Sequence, residues 1–309
     1  WAIAHKALEI DADIYHFHDP ELIAVALYLK RLGKIVVYDV HEDYPKQVMN
    51  KEWIPAVLKC PVSVAVDLVE MHACRKFDAI VAATKSIAQR FETVHSNVVL
   101  VRNFPMLQEF PLVVEDDDGA VPAGAEKEYA LCYIGVISFH RGLCEMVSAA
   151  QSLKLQLVLA GPFSTPEEQQ YIERLDEEVP VTYLGVLSRP QVADLLRKSR
   201  IGMAVLNASP NHMEAYPTKL FEYMAAGIPV IASDFPLWKE IVEQNHCGIC
   251  VDPQSVESLK EAIQSILNDP EQSKVLGGNG RRLVQQKYNW NAERDKLVGL
   301  YENLDSIGK

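Results

Sequence analysis

Short apolar runs that alternate with helical segments constrain the fold of this chain more than any other feature. We predict a strand in each of ten runs: 13–17, 34–39, 78–83, 97–101, 129–135, 155–161, 181–185, 201–206, 228–233 and 248–252. Segments with helical periodicity, such as 20–32 and 189–198, lie between them. Short apolar strands of this kind are typical of parallel sheets that helices cover on both faces. The sequence therefore predicts an α/β fold.

A chain of 309 residues is too long to fold around one ordinary hydrophobic core and fits two domains. One acidic stretch rich in Gly and Ala, EDDDGAVPAGAEKE, interrupts the alternation and is typical of a linker. We predict two Rossmann-like domains, at 1–110 and 129–288, joined by a linker at 111–128. A terminal helix at 289–309 is expected to cross back to the first domain. Ligands of open α/β sheets bind at the carboxyl ends of the strands, so we expect a ligand cleft between the two domains.

The composition excludes several classes of protein. With 49% hydrophobic and 23% charged residues, the chain has a soluble globular composition. A net charge of −12 disfavours nucleic acid as a partner, because phosphate binding needs clustered Lys and Arg. Six cysteines without a disulfide framework favour a reducing compartment, so we expect a cytoplasmic protein. The chain opens at Trp1 within an apparent helix, and we expect that a segment upstream of it was removed.

The stretch EAYPTKLFE at 214–222 predicts a loop, a short helix and then a strand. Pro217 suits the first turn of a helix, where its missing N–H costs nothing. Gly227 suits the position just past the helix end, where a left-handed residue is favoured. The apolar run at 228–232 is then typical of a strand buried on both faces.

Two carboxylates and one lysine in this stretch suggest a binding role. The start of a helix attracts anions, and Lys219 adds a cation there. Glu214 and Glu222 would repel an anion, so we expect them to accept hydrogen bonds from sugar hydroxyls instead. The competing interpretation is an ordinary solvated helix face.

A second helix start follows the strand YIG. The strand ends at Gly135, and Arg141 and Gly142 are predicted to open a helix. A guanidinium at the start of a helix is suited to a diphosphate. The Gly-x-Gly-x-x-Gly fingerprint of dinucleotide-binding domains is missing from this stretch.

These motifs resemble glycosyltransferase family 4, the group 1 retaining glycosyltransferases of the GT-B fold. The stretch EAYPTKLFEYMAAGIPVIASD at 214–234 carries most of the resemblance, with the strand endings LAGP at 159–162 and YLGVLS at 183–188. The first half is similar through DIYHFHDPEL at 13–22 and VVYDVHEDYP at 36–45. The resemblance covers nearly the whole chain and implies two Rossmann-like domains facing across a cleft.

The resemblance implies roles for individual residues. In the family, the first glutamate of such a pair binds the donor sugar and the second binds the nucleotide ribose, which assigns these roles to Glu214 and Glu222. Arg141 and Lys219 would contact the diphosphate, and His18 matches the family's histidine near the donor sugar. The remaining donor-binding or nucleotide-binding positions that it implies are Gly135, Gly142, Gly185, Val186, Leu187 and Thr218.

The chain departs from the family pattern in two places. Val136 stands where the family often has an arginine, so one diphosphate contact is absent or comes from Lys219. The family's opening strand and glycine-rich loop have no counterpart before Trp1.

Two histidines invite a different interpretation. His16 and His18 alternate on a strand end with Asp19 and Glu21 nearby, as metal ligands can. The sequence offers no third ligand set with a suitable spacing. We therefore predict that His18 lines the cleft, that His16 packs, and that no metal is bound.

Three other features favour structural interpretations. Cys247 and Cys250 form a Cys-x-x-Cys pair that runs into a strand, so we expect structural cysteines and no redox site. The acidic run at 116–118 is expected to be solvated charge within the linker. The apolar stretch at 53–71 is expected to form a buried helix, with contact to a membrane surface as the alternative.

The resulting expectation is a metal-independent transferase that moves a sugar from a nucleoside-diphosphate sugar, UDP- or GDP-linked, and retains its anomeric configuration. The acceptor would be a saccharide or glycolipid, in polysaccharide or cell-envelope glycan synthesis, which allows peripheral association with the inner face of the membrane. Two alternatives stay open: a nucleotide-sugar hydrolase or epimerase of the same fold, and a non-catalytic subunit that binds nucleotide sugar.

Overall fold

The computed structural model describes most of the chain, namely residues 2–51, 53–110, 127–176 and 178–307. Most of the predicted linker, with the acidic run inside it, lies outside the described residues. The chain divides into two compact units. Unit 1 comprises Trp1–Asn103 and Asn291–Lys309, and unit 2 comprises Phe104–Trp290.

Unit 1 is built on a parallel sheet. Its strands, in spatial order, are β1 (Ile14–Phe17), β2 (Ile35–Val40), β3 (Ala79–Ala82) and β4 (Val98–Leu100). Its first five helices are α1 (Ala2–Ile10), α2 (Ile23–Arg31), α3 (Tyr44–Asn50), α4 (Ala56–Cys74) and α5 (Lys85–Glu92). The strands are apolar and their side chains are mostly buried, as the sequence predicts for a parallel sheet.

Unit 2 is built on a larger parallel sheet with the spatial order β10-β9-β8-β5-β6-β7. These strands are β5 (Tyr129–Ile134), β6 (Leu157–Ala160), β7 (Val181–Tyr183), β8 (Ser199–Ala204), β9 (Val230–Ser233) and β10 (Gly248–Val251). Its helices are α6 (Leu143–Leu153), α7 (Pro166–Glu173), α8 (Arg189–Lys198), α9 (Pro210–Glu214), α10 (Thr218–Ala225), α11 (Pro236–Val242), α12 (Val256–Asn268) and α13 (Pro270–Gln286). The last helix of the chain, α14, is Trp290–Ile307.

Both faces of the unit 2 sheet are covered. One core cluster joins the sheet to α8, α10 and α11, with Phe221 and Trp238 fully buried in it. A second cluster joins the opposite face to α6 and α12, through residues such as Leu143 and Ile263. The predicted arrangement of a parallel sheet between two helical layers is therefore confirmed for unit 2.

Helix α14 packs on the sheet of unit 1. Leu300 and Leu304 are buried against Val37, Ala79 and Val81 of β2 and β3. Their helical spacing in the sequence had predicted that this segment packs on an apolar surface, and the contact confirms it.

Helix α4 is largely exposed, so the expectation of a buried helix at 53–71 is wrong. Val57 is 83% exposed and Leu68 is 64% exposed, and the buried residues of α4 all lie in its last two turns. The reason is that only this end of α4 reaches the core cluster of unit 1, through Ala73 and Cys74. In the described part of the chain, no helix combines the length and the apolar character needed to cross a bilayer.

Candidate functional site

Lys219 is a buried lysine near the start of α10, and its Nζ has no hydrogen-bond partner among the described residues. It is 7% exposed, and its Nζ lies 3.6 Å from the centroid of the Tyr133 ring. Burial lowers the pKa of Lys219 well below 10.5; the charge of Arg141 adds to this effect and Glu222 opposes it. An anion bound here would accept hydrogen bonds from Nζ, which makes none among the described residues, and would add negative charge beside it.

Gly135 allows the lysine to reach the carboxyl end of β5. Its φ angle is +114°, and a Cβ atom at this position would lie 3.2 Å from Nζ of Lys219. Gly161, which follows β6, is packed still more tightly, because a Cβ there would lie 2.0 Å from the carbonyl oxygen of Gly135. The two glycines therefore bring the ends of neighbouring strands and the lysine into close contact.

Arg141 is held at the same end of the sheet by a tight turn. It ends a short 3-10 turn, and Gly142, with φ of +70°, is the N-cap of α6. A Cβ on Gly142 would lie 2.6 Å from the carbonyl oxygen of Val205. Burial raises the pKa of Tyr133 to about 12, and Arg141 opposes this shift. Arg141, Tyr133 and Lys219 thus form one electrostatically coupled group.

Glu222 lies one turn further along α10 and is only 5% exposed. Arg189 donates a hydrogen bond of 2.6 Å from Nη1 to Oε1 of Glu222. The same guanidinium donates from Nε to Oε2 of Glu109, at 3.0 Å. The buried carboxylate is therefore paired with a cation, as a buried charge requires.

Glu214 is the last residue of α9, and its side chain is exposed. The sequence had placed it in a loop; instead, a short helix capped by Ser209 carries it. The connection from α9 to α10 is anchored by Trp238, whose Nε1 donates a hydrogen bond of 2.9 Å to the carbonyl of Ala215. Thr218 is the first residue of α10 and is half-buried.

The segment after β7 contains the other predicted nucleotide contacts. Gly185 has φ of +70°, and its carbonyl oxygen accepts a hydrogen bond of 2.8 Å from the backbone N–H of Gly161. This bond links the segment to the end of β6. Val186 is 72% exposed and Leu187 is half-buried. Their roles in binding a nucleotide remain predictions.

His18 lies in unit 1, in a cluster with His16, Asp39 and His41. His16 Nε2 lies 3.1 Å from Asp39 Oδ2, and His18 Nδ1 lies 3.4 Å from the same oxygen. His18 Nδ1 is also 3.0 Å from His41 Nε2. Burial alone would raise the pKa of Asp39, but its interactions with His16 and His41 lower it to about 2. The Asp39 carboxylate raises the pKa of His41, and burial opposes this effect.

The expectation that no further ligand accompanies His16 and His18 is therefore wrong. Asp39 and His41 sit at the end of β2, which pairs with β1 in parallel, so the two strand ends bring all four side chains together. The expectation that His16 merely packs is also incomplete, since it contacts Asp39 and Tyr301. The motif VVYDVHEDYP contains Asp39 and His41, but the sequence alone assigns neither of them a role. The missed signal is the His-x-His and Asp-x-His pair at the ends of successive strands.

Residues Arg189 and Glu109 were also missed. Arg189, at the start of α8, contacts Glu222 and also Glu109, which lies before β5, and no local motif marks either residue. By contrast, Gly227 has φ of +71° just past the end of α10, as its position in the sequence predicts.

The paired cysteines behave as structural residues. Cys247 is buried and Cys250 is half-buried in β10, and both are free thiols. Burial raises the pKa of each of them to about 12. These thiols are therefore protonated at neutral pH, unlike a redox-active pair.

Comparison with known protein families decides the affiliation of the chain. The model of the family "Glycosyl transferases group 1" matches residues 115–283, which is more than half of the 309 residues. The chain belongs to the group 1 glycosyl transferases. The matched range contains every predicted donor-site residue of unit 2, whereas His18 lies outside it.

One relative with a named activity is distant in sequence. An alpha-D-kanosaminyltransferase of Streptomyces kanamyceticus is 25% identical over 187 residues, covering 59% of this chain and 47% of that protein. The chain thus spans about half the length of this relative.

Solved structures of similar fold cover nearly the whole chain. Sucrose-phosphate synthase of Thermosynechococcus elongatus superposes with a TM-score of 0.74 at 23% identity, covering 99% of this chain and 77% of that one. HepE of Anabaena, solved in complex with UDP and glucose, gives a TM-score of 0.71 at 15% identity, covering 99% and 82%. The predicted α/β fold of the GT-B type is therefore confirmed.

Proposed function

We propose that this chain is a retaining glycosyltransferase that moves a sugar from a UDP- or GDP-linked donor to a saccharide or glycolipid acceptor. Membership of the group 1 family supports the reaction class. The similarity of fold to HepE, which was solved with UDP and glucose, supports a nucleotide-sugar donor. The acceptor is proposed from the family resemblance, as a precursor of a polysaccharide or cell-envelope glycan.

The observation that carries this proposal is the buried amine of Lys219, which lies in the field of Arg141 and has no hydrogen-bond partner among the described residues. Two cationic side chains at the carboxyl ends of β5 and β8 are placed to neutralise a diphosphate. Lys219 has no carboxylate at hydrogen-bonding distance among the described residues that would do this in its place. A bound diphosphate would raise the lowered pKa of Lys219, because the anion stabilises the charged amine.

The same two cations would also serve the chemical step. When the bond between sugar and diphosphate breaks, positive charge develops on the sugar ring and negative charge on the departing diphosphate. Lys219 and Arg141 stabilise that departing charge without needing to reorganise, which is the usual source of catalytic power in such sites. On this proposal the donor site needs no metal, since both charges come from side chains. Same-face attack, with the departing phosphate accepting the acceptor's proton, follows from the family resemblance.

The two glutamates would hold the neutral parts of the donor. Glu222 shares one carboxylate oxygen with Arg189, and its second oxygen can accept a hydrogen bond from a ribose hydroxyl. Glu214, exposed at the end of α9, is proposed to accept hydrogen bonds from the donor sugar.

The proposed transfer is tested by measuring nucleotide release from UDP-, GDP- and ADP-sugars, with and without a panel of saccharide and glycolipid acceptors. Transfer predicts release that depends on an acceptor, and a product whose anomeric configuration by NMR matches the donor. Release without an acceptor would support the hydrolase alternative. Binding of one nucleotide sugar without any release would support the non-catalytic subunit.

Contact with a membrane surface has one supporting feature. The exposed apolar side chains of α4, which include Val57, Leu58, Val64 and Leu68, form a surface that a bilayer interface can cover. Sedimentation with anionic vesicles tests it: the wild type should co-sediment, and a Val64→Ser/Leu68→Ser variant should remain in solution.

A further inference from the structure

Unit 1 contains a cluster of nitrogen and oxygen atoms that could bind a metal ion. As a group, these atoms have no role in the proposed sugar transfer. His16 belongs to β1 and His18 follows it, while Asp39 belongs to β2 and His41 follows it. The two strands are parallel neighbours, with His16 opposite Val37 and Phe17 opposite Tyr38, so their carboxyl ends coincide. One end of the sheet therefore presents three imidazoles and one carboxylate together.

The donor atoms are spaced as ligands of one small ion would be. His16 Nε2 and His18 Nδ1 lie 3.1 and 3.4 Å from Asp39 Oδ2. His41 Nε2 lies 3.0 Å from His18 Nδ1 and 3.4 Å from Asp39 Oδ1. Bonds of about 2.0–2.1 Å in a tetrahedral zinc site place neighbouring ligand atoms about 3.3 Å apart. Four distances in the cluster, of 3.0–3.4 Å, are therefore close to this spacing. One ligand atom from each of His16, His18 and Asp39 lies within 4.8 Å of the other two.

Two features of the surroundings favour a metal over a simple hydrogen-bond network. Asp39 is 8% exposed, and its buried Oδ1 makes no regular hydrogen bond among the described residues, although His41 Nε2 lies 3.4 Å from it. Tyr301 contacts Nδ1 of His16 through its hydroxyl, which turns Nε2 of that ring toward Asp39. An outer partner of this kind is what orients a metal-ligating histidine.

The cluster is also accessible. The side chains of His18 and His41 are 56% and 55% exposed, so an ion can enter from solvent. His18 contributes Nδ1 to the cluster, which leaves Nε2 of the same ring for another contact.

We propose that His16, His18 and Asp39, with His41 as fourth ligand, bind a divalent transition metal, with Zn²⁺ as the preferred ion. Three imidazole nitrogens and one carboxylate suit Zn²⁺, whereas Mg²⁺ requires octahedral oxygen ligands. The site concerns unit 1 alone and does not depend on the donor site of unit 2. A metal here would fix the ring orientation of His18.

The test uses metal-free protein without a polyhistidine tag, titrated with Zn²⁺ by calorimetry and with Co²⁺ by visible absorption. The wild type should bind one ion per chain, and Co²⁺ should give the intense absorption of a tetrahedral complex. His18→Ala should weaken binding at least tenfold, because it removes one of the four ligands. Since His18 is exposed, this variant should fold, and far-UV circular dichroism checks that it does.

A matched control separates the cluster from other histidines. His5→Ala removes an exposed histidine from α1 of the same unit and should bind Zn²⁺ as the wild type does. Zinc should also raise the melting temperature of the wild type and of His5→Ala, and not that of His18→Ala. The proposal is overturned if the wild type binds no stoichiometric Zn²⁺ or Co²⁺, or if His18→Ala binds as tightly as the wild type. In that case the four side chains form a hydrogen-bond network only.

Discussion

Arg189 and Glu222 form a hydrogen-bonded ion pair of 2.6 Å, in which the carboxylate is almost fully buried and the guanidinium is half exposed. The pair connects the start of α8 with the middle of α10, two helices of unit 2. Arg189 therefore holds the carboxylate that we propose for the ribose in one orientation. Arg189 does so from the solvent side, whereas Lys219 is buried on α10, the helix that also carries Glu222.

Replacement of Arg189 tests this orientation. We expect Arg189→Ala to weaken UDP or GDP binding by about tenfold, which corresponds to about 1.4 kcal/mol, because Glu222 loses its fixed position. Binding of inorganic pyrophosphate should not change, since it lacks a ribose. Calorimetric titration of both ligands measures the difference.

Two controls make the result specific. Arg197→Ala removes an exposed arginine from the same helix, α8, and should leave both affinities unchanged. In a Glu222→Gln background, the additional loss caused by Arg189→Ala should be much smaller than in the wild type. Equal losses for UDP and pyrophosphate would contradict the ribose role of the pair.

Lys219 should lower the stability of the ligand-free protein. The pKa of Lys219 is lowered in the folded state, so the unfolded chain binds a proton at this lysine more tightly than the folded chain does. Protonation therefore favours unfolding. We expect Lys219→Met to raise the free energy of unfolding at pH 7 by about 1–3 kcal/mol. Urea unfolding of the two proteins measures this gain.

The pH dependence of that gain has a definite sign. Above the unfolded pKa near 10.5, the lysine is neutral in both states, and the charge-related difference should vanish. As the pH falls below 10.5, the unfolded chain takes up the proton first, so the gain from Lys219→Met should grow until the folded pKa is passed. Lys274→Met, at an exposed lysine of α13, should show no such dependence. A gain that is the same at pH 7 and at pH 11 would contradict the account.

Gly135 should not tolerate a side chain. Gly135→Ala places a Cβ at φ of +114° and 3.2 Å from Nζ of Lys219, so the backbone strains and the lysine has to shift. We expect a loss of about 1–3 kcal/mol in the free energy of unfolding, together with weaker nucleotide binding.

Gly278 offers the matched substitution. It lies within α13, and a Cβ there meets no atom within 4 Å. Gly278→Ala should stabilise the protein by up to about 1 kcal/mol, through helix propensity alone, and leave binding unchanged. Thermal unfolding and calorimetry distinguish the two variants, and equal effects of both would refute the close packing at Gly135.

The cysteines should differ sharply in reactivity. Cys60 is exposed, whereas burial raises the pKa of Cys132, Cys247 and Cys250 to about 12. At pH 8 we expect iodoacetamide to modify Cys60 quickly and these three thiols only after denaturation. Peptide mass spectrometry after timed alkylation measures this order. Fast modification of Cys247 and Cys250 in the folded protein would support a redox pair instead.

Local sequence was enough to predict the parts of the fold that depend on near neighbours. The alternation of apolar strands and helices predicted the parallel sheets, and the spacing from Pro217 to Gly227 predicted α10 and its left-handed end. The close approach of Gly135 and Lys219 was not visible in the sequence, since 84 positions separate them. It arises because α10 packs beside the end of β5.

What the sequence could not show depends on the order of the strands. Asp39 and His41 meet His16 and His18 because β1 and β2 are adjacent and in one register. Arg189 reaches Glu222 because α8 and α10 lie on the same face of the sheet. The exposure of α4 was missed for a similar reason: apolar composition alone does not reveal that most of a helix lies beyond the core.

The most direct test of the donor site is calorimetric titration of the wild type and of Lys219→Met with UDP, GDP and ADP. The account predicts that one nucleoside diphosphate binds to the wild type and that Lys219→Met weakens its binding by about 100-fold, because the buried cation is lost. Lys274→Met should bind as the wild type does. If Lys219→Met is folded and binds the same nucleotide with unchanged affinity, the buried lysine is not the diphosphate contact and the central claim fails.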